Sequence, residues 1–174
     1  VAVTVRVLAS IEISNPPTKT AYKYGEVFSP AGMAVTARYT DGQSRAATGY
    51  TYSPTGALKL SDTTITVSYT EGDVTKTTTQ AITVAKVLDR IAVTTPPNRT
   101  SYFSGEQFST AGMVVTAYYT DGSSGAVTGY TYSPTGALAA GNTTITVSYT
   151  EGDVTKTTTQ AIKVTTVNTT LDSN

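Results

Sequence analysis

Residues 63–82 read TTITVSYTEGDVTKTTTQAI, and the same stretch returns unchanged at 143–162. Within it Ile65, Val67 and Tyr69 alternate with Thr64, Thr66, Ser68 and Thr70, the period of a strand with one apolar face. Glu71-Gly72-Asp73 then interrupts the run as a tight hairpin, and Ile82 and Val84 close the module. A sheet with a single apolar face must bury that face against a second layer.

The correspondence extends well beyond this stretch, always at an offset of 80 residues. Tyr22-x-x-Gly25-Glu26 falls on Tyr102-x-x-Gly105-Glu106, and Ala31-Gly32-Met33 on Ala111-Gly112-Met113. Thr48 to Leu58 is identical to Thr128 to Leu138. About two-thirds of aligned positions match without a gap, which defines two modules, 7–86 and 87–166, each of domain size. Ala2-Val3-Thr4-Val5 resembles the closing strand Ala81-Ile82-Thr83-Val84. Residues 1–6 therefore read as the tail of a preceding repeat, with an extra N-terminal strand as the alternative. Residues 167–174 read as a C-terminal tail or linker.

The remainder of each module is also strand-like. Met33, Val35, Ala37 and Tyr39 share one face, as do Met113, Val115, Ala117 and Tyr119, and Ile11 and Ile13 alternate with polar neighbours. Asp41-Gly42 and Asp121-Gly122 are hairpin dipeptides, Pro16-Pro17 and Pro96-Pro97 end the first strand, and Ser53-Pro54-Thr55-Gly56 is a further turn. About six or seven short strands per module, with turns every 8–12 residues or so, predict an all-β chain. Its architecture is expected to be two tandem immunoglobulin-like β-sandwich domains without cysteine.

Composition narrows the function. There are 12 Lys+Arg against 12 Asp+Glu, so no basic surface is available for nucleic acid or anionic lipid. No apolar run reaches membrane-spanning length. Cys, His and Trp are absent, which removes disulfides, thiolate nucleophiles, Ser-His-Asp triads and imidazole metal sites. No catalytic residue is assigned and no enzyme is expected, since the remaining acidic residues sit in hairpins rather than facing a cleft.

The module reads Leu-x-x-Ile, Pro-Pro, Tyr-x-x-Gly-Glu-x-Phe, Ala-Gly-Met-x-Val-Thr-Ala, Tyr-Thr-Asp-Gly and Thr-Ile-Thr-Val-Ser-Tyr-Thr-Glu-Gly, closing on Ile-x-Val. In these motifs it resembles the bacterial Ig-like domain family, group 3 type, over nearly all of both copies. The resemblance implies a modular role in bacterial surface proteins, S-layer proteins and secreted polysaccharide-acting enzymes, as spacer or adhesive module. It supplies no catalytic residues.

Several residues are candidate sites. Asp41, Glu71 and Asp73 would lie at one end of an Ig sandwich, within reach of a Ca²⁺ ion completed by backbone oxygens. Asp121, Glu151 and Asp153 would do the same in the second copy, facing the first across the junction. The alternative is that all six are ordinary turn residues. Tyr118, outward by parity, and Tyr24 are candidate ligand contacts for a sugar ring, although they become Arg38 and Ser104 in the other copy. The remaining repeated tyrosines read as core residues with hydroxyls reaching rim partners. Lys76 and Lys156 fall at core parity and suggest an isopeptide cross-link, but no Asn recurs in both copies, and an edge strand in shifted register is the alternative. Asn98-Arg-Thr and Asn142-Thr-Thr match the glycosylation pattern, as a Thr-rich chain readily does.

Two functions remain. Almost no linker separates the closing strand from Val87-Leu88, and an odd strand count lets the chain enter a module at one end and leave at the other. Both favour a monomeric, extracellular structural spacer whose partners are the neighbouring domains of the same polypeptide. Arg38 and Lys76 would blunt its strand edges. The alternative is an adhesive or carbohydrate-binding module for cell-wall or host glycan, or for a host protein, with its variable positions at 18–24 and 43–47.

Overall fold

A computed structural model describes residues 6–166 and divides the chain into two compact units after Lys86. The strand proposed at residues 2–5 and the tail at 167–174 lie outside the described residues. In the first unit the strands are β1 (Leu8–Asn15), β2 (Ala21–Lys23), β3 (Ala34–Tyr39), β4 (Ser44–Ala46), β5 (Thr51–Ser53), β6 (Thr64–Glu71), β7 (Val74–Ala81) and β8 (Thr83–Ala85). In the second they are β9 (Leu88–Thr95), β10 (Ser101–Phe103), β11 (Val114–Tyr119), β12 (Ser124–Val127), β13 (Thr131–Ser133), β14 (Thr144–Glu151), β15 (Val154–Ala161) and β16 (Lys163–Thr165).

The first unit pairs β1-β3-β4 and β5-β6-β7 antiparallel, while β8 runs parallel to β2. Only Ile82 separates β7 from β8, so one continuous run serves two sheets, and this split raises the count to eight. The second unit repeats the pattern as β9-β11-β12, β13-β14-β15 and β10-β16. Thr, Val, Ile and Tyr dominate these segments because branched and aromatic side chains pack well on a pleated surface.

Each unit has its own core. In the first, Leu8 and Ile11 of β1, Val35 and Ala37 of β3, and Ile65 and Val67 of β6 close over Phe28, Leu58 and Ile82. Ile65, Val67 and Ala37 are completely enclosed, as are Ile145, Val147, Val115 and Ala117 in the second unit. Burying each such Val or Ile is worth about 1.5–3 kcal/mol. The opposite face of β5-β6-β7 carries Thr51, Ser53, Thr64, Thr66, Ser68, Thr70, Thr75, Thr77 and Thr79, and the Thr70 and Thr75 hydroxyls lie 2.8 Å apart. The alternation read from the sequence is therefore the alternation of the sandwich.

The turns behave as their residues require. Glu71 pairs directly with Val74, leaving a two-residue loop in which Gly72 takes φ +59°, the sign a primed hairpin turn needs at its first position. Gly32 (φ +79°) and Gly112 (φ +78°) have a second reason to be glycine. A Cβ there would run into Thr18 in the first unit and into Asn98 in the second.

Two edge expectations need correction. Arg38 lies on β3, the central strand between β1 and β4, and guards no edge. Lys76 does lie on an edge strand of its sheet, β7, but the β6–β7 register is unbroken from Thr64↔Ala81 to Glu71↔Val74, and no register shift occurs. Lys76 sits directly opposite Tyr69 and is half-buried, as its long aliphatic stem allows.

Candidate functional site

The best-connected polar cluster of the first unit sits where β3 ends and β6 turns into β7. Tyr39 is at the end of β3, opposite Leu8, and its hydroxyl donates to Glu71 Oε2 at 2.5 Å. Arg45 of β4 reaches the same point: its Nε donates to the Tyr39 hydroxyl at 2.6 Å and its Nη2 lies 2.9 Å from Glu71 Oε1. Nη2 also donates to the Tyr69 hydroxyl at 3.4 Å. Arg6 stacks over the Tyr39 ring at 3.7 Å, with its Nε 4.0 Å from Asp41.

This arrangement explains its own electrostatics. Donation from Tyr39, reinforced by Arg45, holds the Glu71 carboxyl below its ordinary value despite partial burial. Burial and the bond to Glu71 push the Tyr39 hydroxyl up, while Arg45 pulls it back. In the second unit position 125 is glycine, and Tyr119 and Tyr149 both turn to Glu151. Tyr119 donates to Glu151 Oε2 at 2.7 Å and Tyr149 to the same oxygen at 3.3 Å. Chiefly through its bond to Glu151, the Tyr119 hydroxyl is pushed up to about 12.

The two turns do therefore share one end of the module, as the sandwich order predicts. The carboxylates within each module are engaged separately rather than gathered. Asp41 Oδ1 accepts from the Gln43 backbone at 3.0 Å and Asp121 Oδ1 from Ser123 at 2.9 Å, while Glu71 and Glu151 accept from tyrosines. Asp73 and Asp153 occupy the second position of the two-residue hairpin loops. Among the described residues no group of three Asp or Glu side chains converges to hold a metal ion.

A second polar cluster lies at the opposite end, where the sequence had shown only the Tyr-x-x-Gly-Glu motif. Tyr22 is buried, donates its hydroxyl to Lys19 O at 2.9 Å and accepts from Ser29 N at 3.2 Å. Glu26 accepts from Lys23 N at 2.7 Å and binds the Lys19 ammonium at 3.0 Å. The Lys23 N–H, then Lys19, holds the Glu26 carboxyl below its ordinary value. Tyr102, Arg99 and Glu106 repeat the arrangement, with Phe103 N–H and Arg99 depressing Glu106. The signal for this cap was the motif's spacing: a carboxylate three residues beyond the end of a short strand can turn back to that strand's last N–H.

The candidate ligand tyrosines take different places. Tyr118 points outward from β11 and stacks on Arg90, whose guanidinium carbon is 3.6 Å from the ring centre. Tyr24 follows β2 with 45% of its surface exposed; in the second unit the exposed aromatic is Phe103, at 54%. The two are one position apart in the repeat, so each module presents an aromatic beside its parallel strand pair without repeating the residue. The sequon residues have structural work: Asn142 Oδ1 accepts from Ala139 N at 2.7 Å, as Asp62 does from Lys59 N at 2.8 Å, and Asn98 lies against Gly112.

Comparison with known proteins places this geometry. The bacterial Ig-like domain (group 3) family matches residues 15–87 and again 95–165. Pectate lyase L of Thermoclostridium stercorarium is 32% identical over 113 residues, 65% of this chain but only 9% of that protein. Among solved structures, a chimeric titin Z1Z2 carrying a KLER peptide from decorin aligns over 91% of this chain and 98% of its own, at 11% identity and a TM-score of 0.24. The titin domains z1z2 in complex with telethonin align over 92% and 99%, at 14% identity and a TM-score of 0.26. With both modules matched along nearly their whole length, the chain belongs to the bacterial Ig-like domain family, group 3, whose domains are non-catalytic.

Proposed function

We propose that this chain is a spacer segment of an extracellular bacterial protein, adding length between functional domains of the same polypeptide. The observation that carries the reading is the connection between modules. β8 ends at Ala85 and β9 begins at Leu88, leaving Lys86 and Val87 between them, neither of them glycine or proline. So short a link leaves few free dihedrals. Within the first unit the chain enters beside Tyr39 and Glu71 and leaves beside Lys23 and Tyr24, at the other end, so each repeat advances the path. The extracellular, polysaccharide-associated setting draws support from the family and from the pectate lyase, of which the matching segment is a small part.

An adhesive role is the second reading, favoured by exposed Tyr24 and Phe103. A glycan array and small-angle scattering on the 174-residue chain separate the two. The spacer reading expects one elongated scattering envelope and no saturable glycan binding. Saturable binding lost on Tyr24→Ala or Phe103→Ala would replace it with adhesion.

A further inference from the structure

The two modules carry the same tyrosine–glutamate cluster in two states, and the difference identifies a ligand. In the first module the cluster holds a guanidinium: Arg45 bonds Tyr39 and Tyr69 and pairs with Glu71. In the second, Tyr119, Tyr149 and Glu151 are all retained, but the residue in register is Gly125. Arg45 lies opposite Ala37, and Gly125 lies opposite Ala117, so the vacated place is the same place. Exposure follows the substitution. Tyr39 is buried and Glu71 half-buried, whereas Tyr119 is half-buried and Glu151 exposed.

We infer that the Tyr119–Tyr149–Glu151 cluster is a receptor for a guanidinium group, supplied in trans by an arginine side chain of a partner protein. The cluster is preorganised for it. Both tyrosine hydroxyls are already turned to Glu151 Oε2, and two ring edges with a carboxylate match a planar, multidentate cation better than a compact ammonium. A Cβ built at Gly125 meets nothing within 4 Å, so a side chain can leave the strand at this position as Arg45 does in the first module. The Tyr119 hydroxyl is raised to about 12. At Tyr39 the arginine lowers the corresponding value, so a bound guanidinium is expected to pull Tyr119 down. This inference stands whether or not the modules act as a stiff spacer.

The test is an NMR titration of the whole chain with N-acetyl-L-arginine methylamide, using N-acetyl-L-lysine methylamide as the ammonium control. The expected result is saturating shifts at Tyr119, Tyr149 and Glu151 with the arginine probe, weaker shifts with the lysine probe, and none at Tyr39, Tyr69 and Glu71. Gly125→Arg, which fills the site in cis, should abolish the response, and so should Glu151→Gln. Arg45→Gly should create a response in the first module. Equal shifts in both modules of the unaltered chain, equal response to both probes, or a response that survives Gly125→Arg would overturn the assignment. So would silence of the second module.

Discussion

The two modules are the same frame with different polar fittings. Leu8, Ile11, Val35, Ile65 and Val67 have counterparts in Leu88, Ile91, Val115, Ile145 and Val147, buried to nearly the same degree. On the outer face of β1 and β3, Arg38 pairs with Glu12 at 2.5 Å. The second module has Tyr118 where the first has Arg38 and Ala92 where it has Glu12, yet an arginine returns on the neighbouring strand as Arg90 and stacks on Tyr118. Close packing constrains the interior atom by atom, whereas the exterior requires only that each long side chain find some partner. Divergence has therefore proceeded mainly by exchanging surface pairs over a core that changes only at its margin, where Ala47 becomes Val127 and Ile13 becomes Val93.

If that is right, equivalent core changes must cost the same in either module. Ile65→Ala and Ile145→Ala should each destabilise their own module by about 2–5 kcal/mol. The check is denaturant melting followed by module-resolved NMR, and unequal losses would break the claim of a shared frame. The next effect is smaller. Tyr22→Phe and Tyr102→Phe each remove a buried ring's hydroxyl and its two backbone hydrogen bonds and should cost about 0.5–1.5 kcal/mol in both modules alike.

Acid and alkali should then separate the modules. The Glu26, Glu71 and Glu106 carboxyls are held below their ordinary 4.5, so their contribution is present above that pH and lost as pH falls through the depressed values. Two of the three belong to the first module, which should therefore lose more protection from hydrogen exchange on acidification. In alkali the sign reverses. The Tyr119 hydroxyl is raised above its ordinary 10.0 to about 12, so its contribution is present below pH 10 and lost as pH rises toward 12. Gly125→Arg should move the Tyr119 titration, read by ultraviolet absorbance or NMR, down toward that of Tyr39. An unmoved titration would mean that the two clusters are not equivalent.

Most of the fold was legible because it depends on period and turn chemistry, which are local. The alternation of Ile65, Val67 and Tyr69, the Asp41-Gly42 hairpin and the stop at Pro16-Pro17 all appear where the sequence puts them. What was not legible depends on pairing between distant segments. Nothing local says that the run from Val74 to Ala85 changes partners at Ile82, or that β3 lies between β1 and β4, which removes Arg38 from any edge. The acidic turns were correctly placed at one end, but the partners of Glu71 come from residues 26 to 32 positions away. Parity alone could not show that an arginine and a tyrosine would take up that carboxylate.

The spacer account depends most directly on how firmly the two modules are joined, and the absence of cysteine makes that measurable. Nitroxide labels on Thr55→Cys and Thr135→Cys, both at exposed loop positions, report the distance between modules by double electron–electron resonance. A single narrow distance distribution is the predicted result. A broad distribution of the kind given by two beads on a flexible tether would contradict the account.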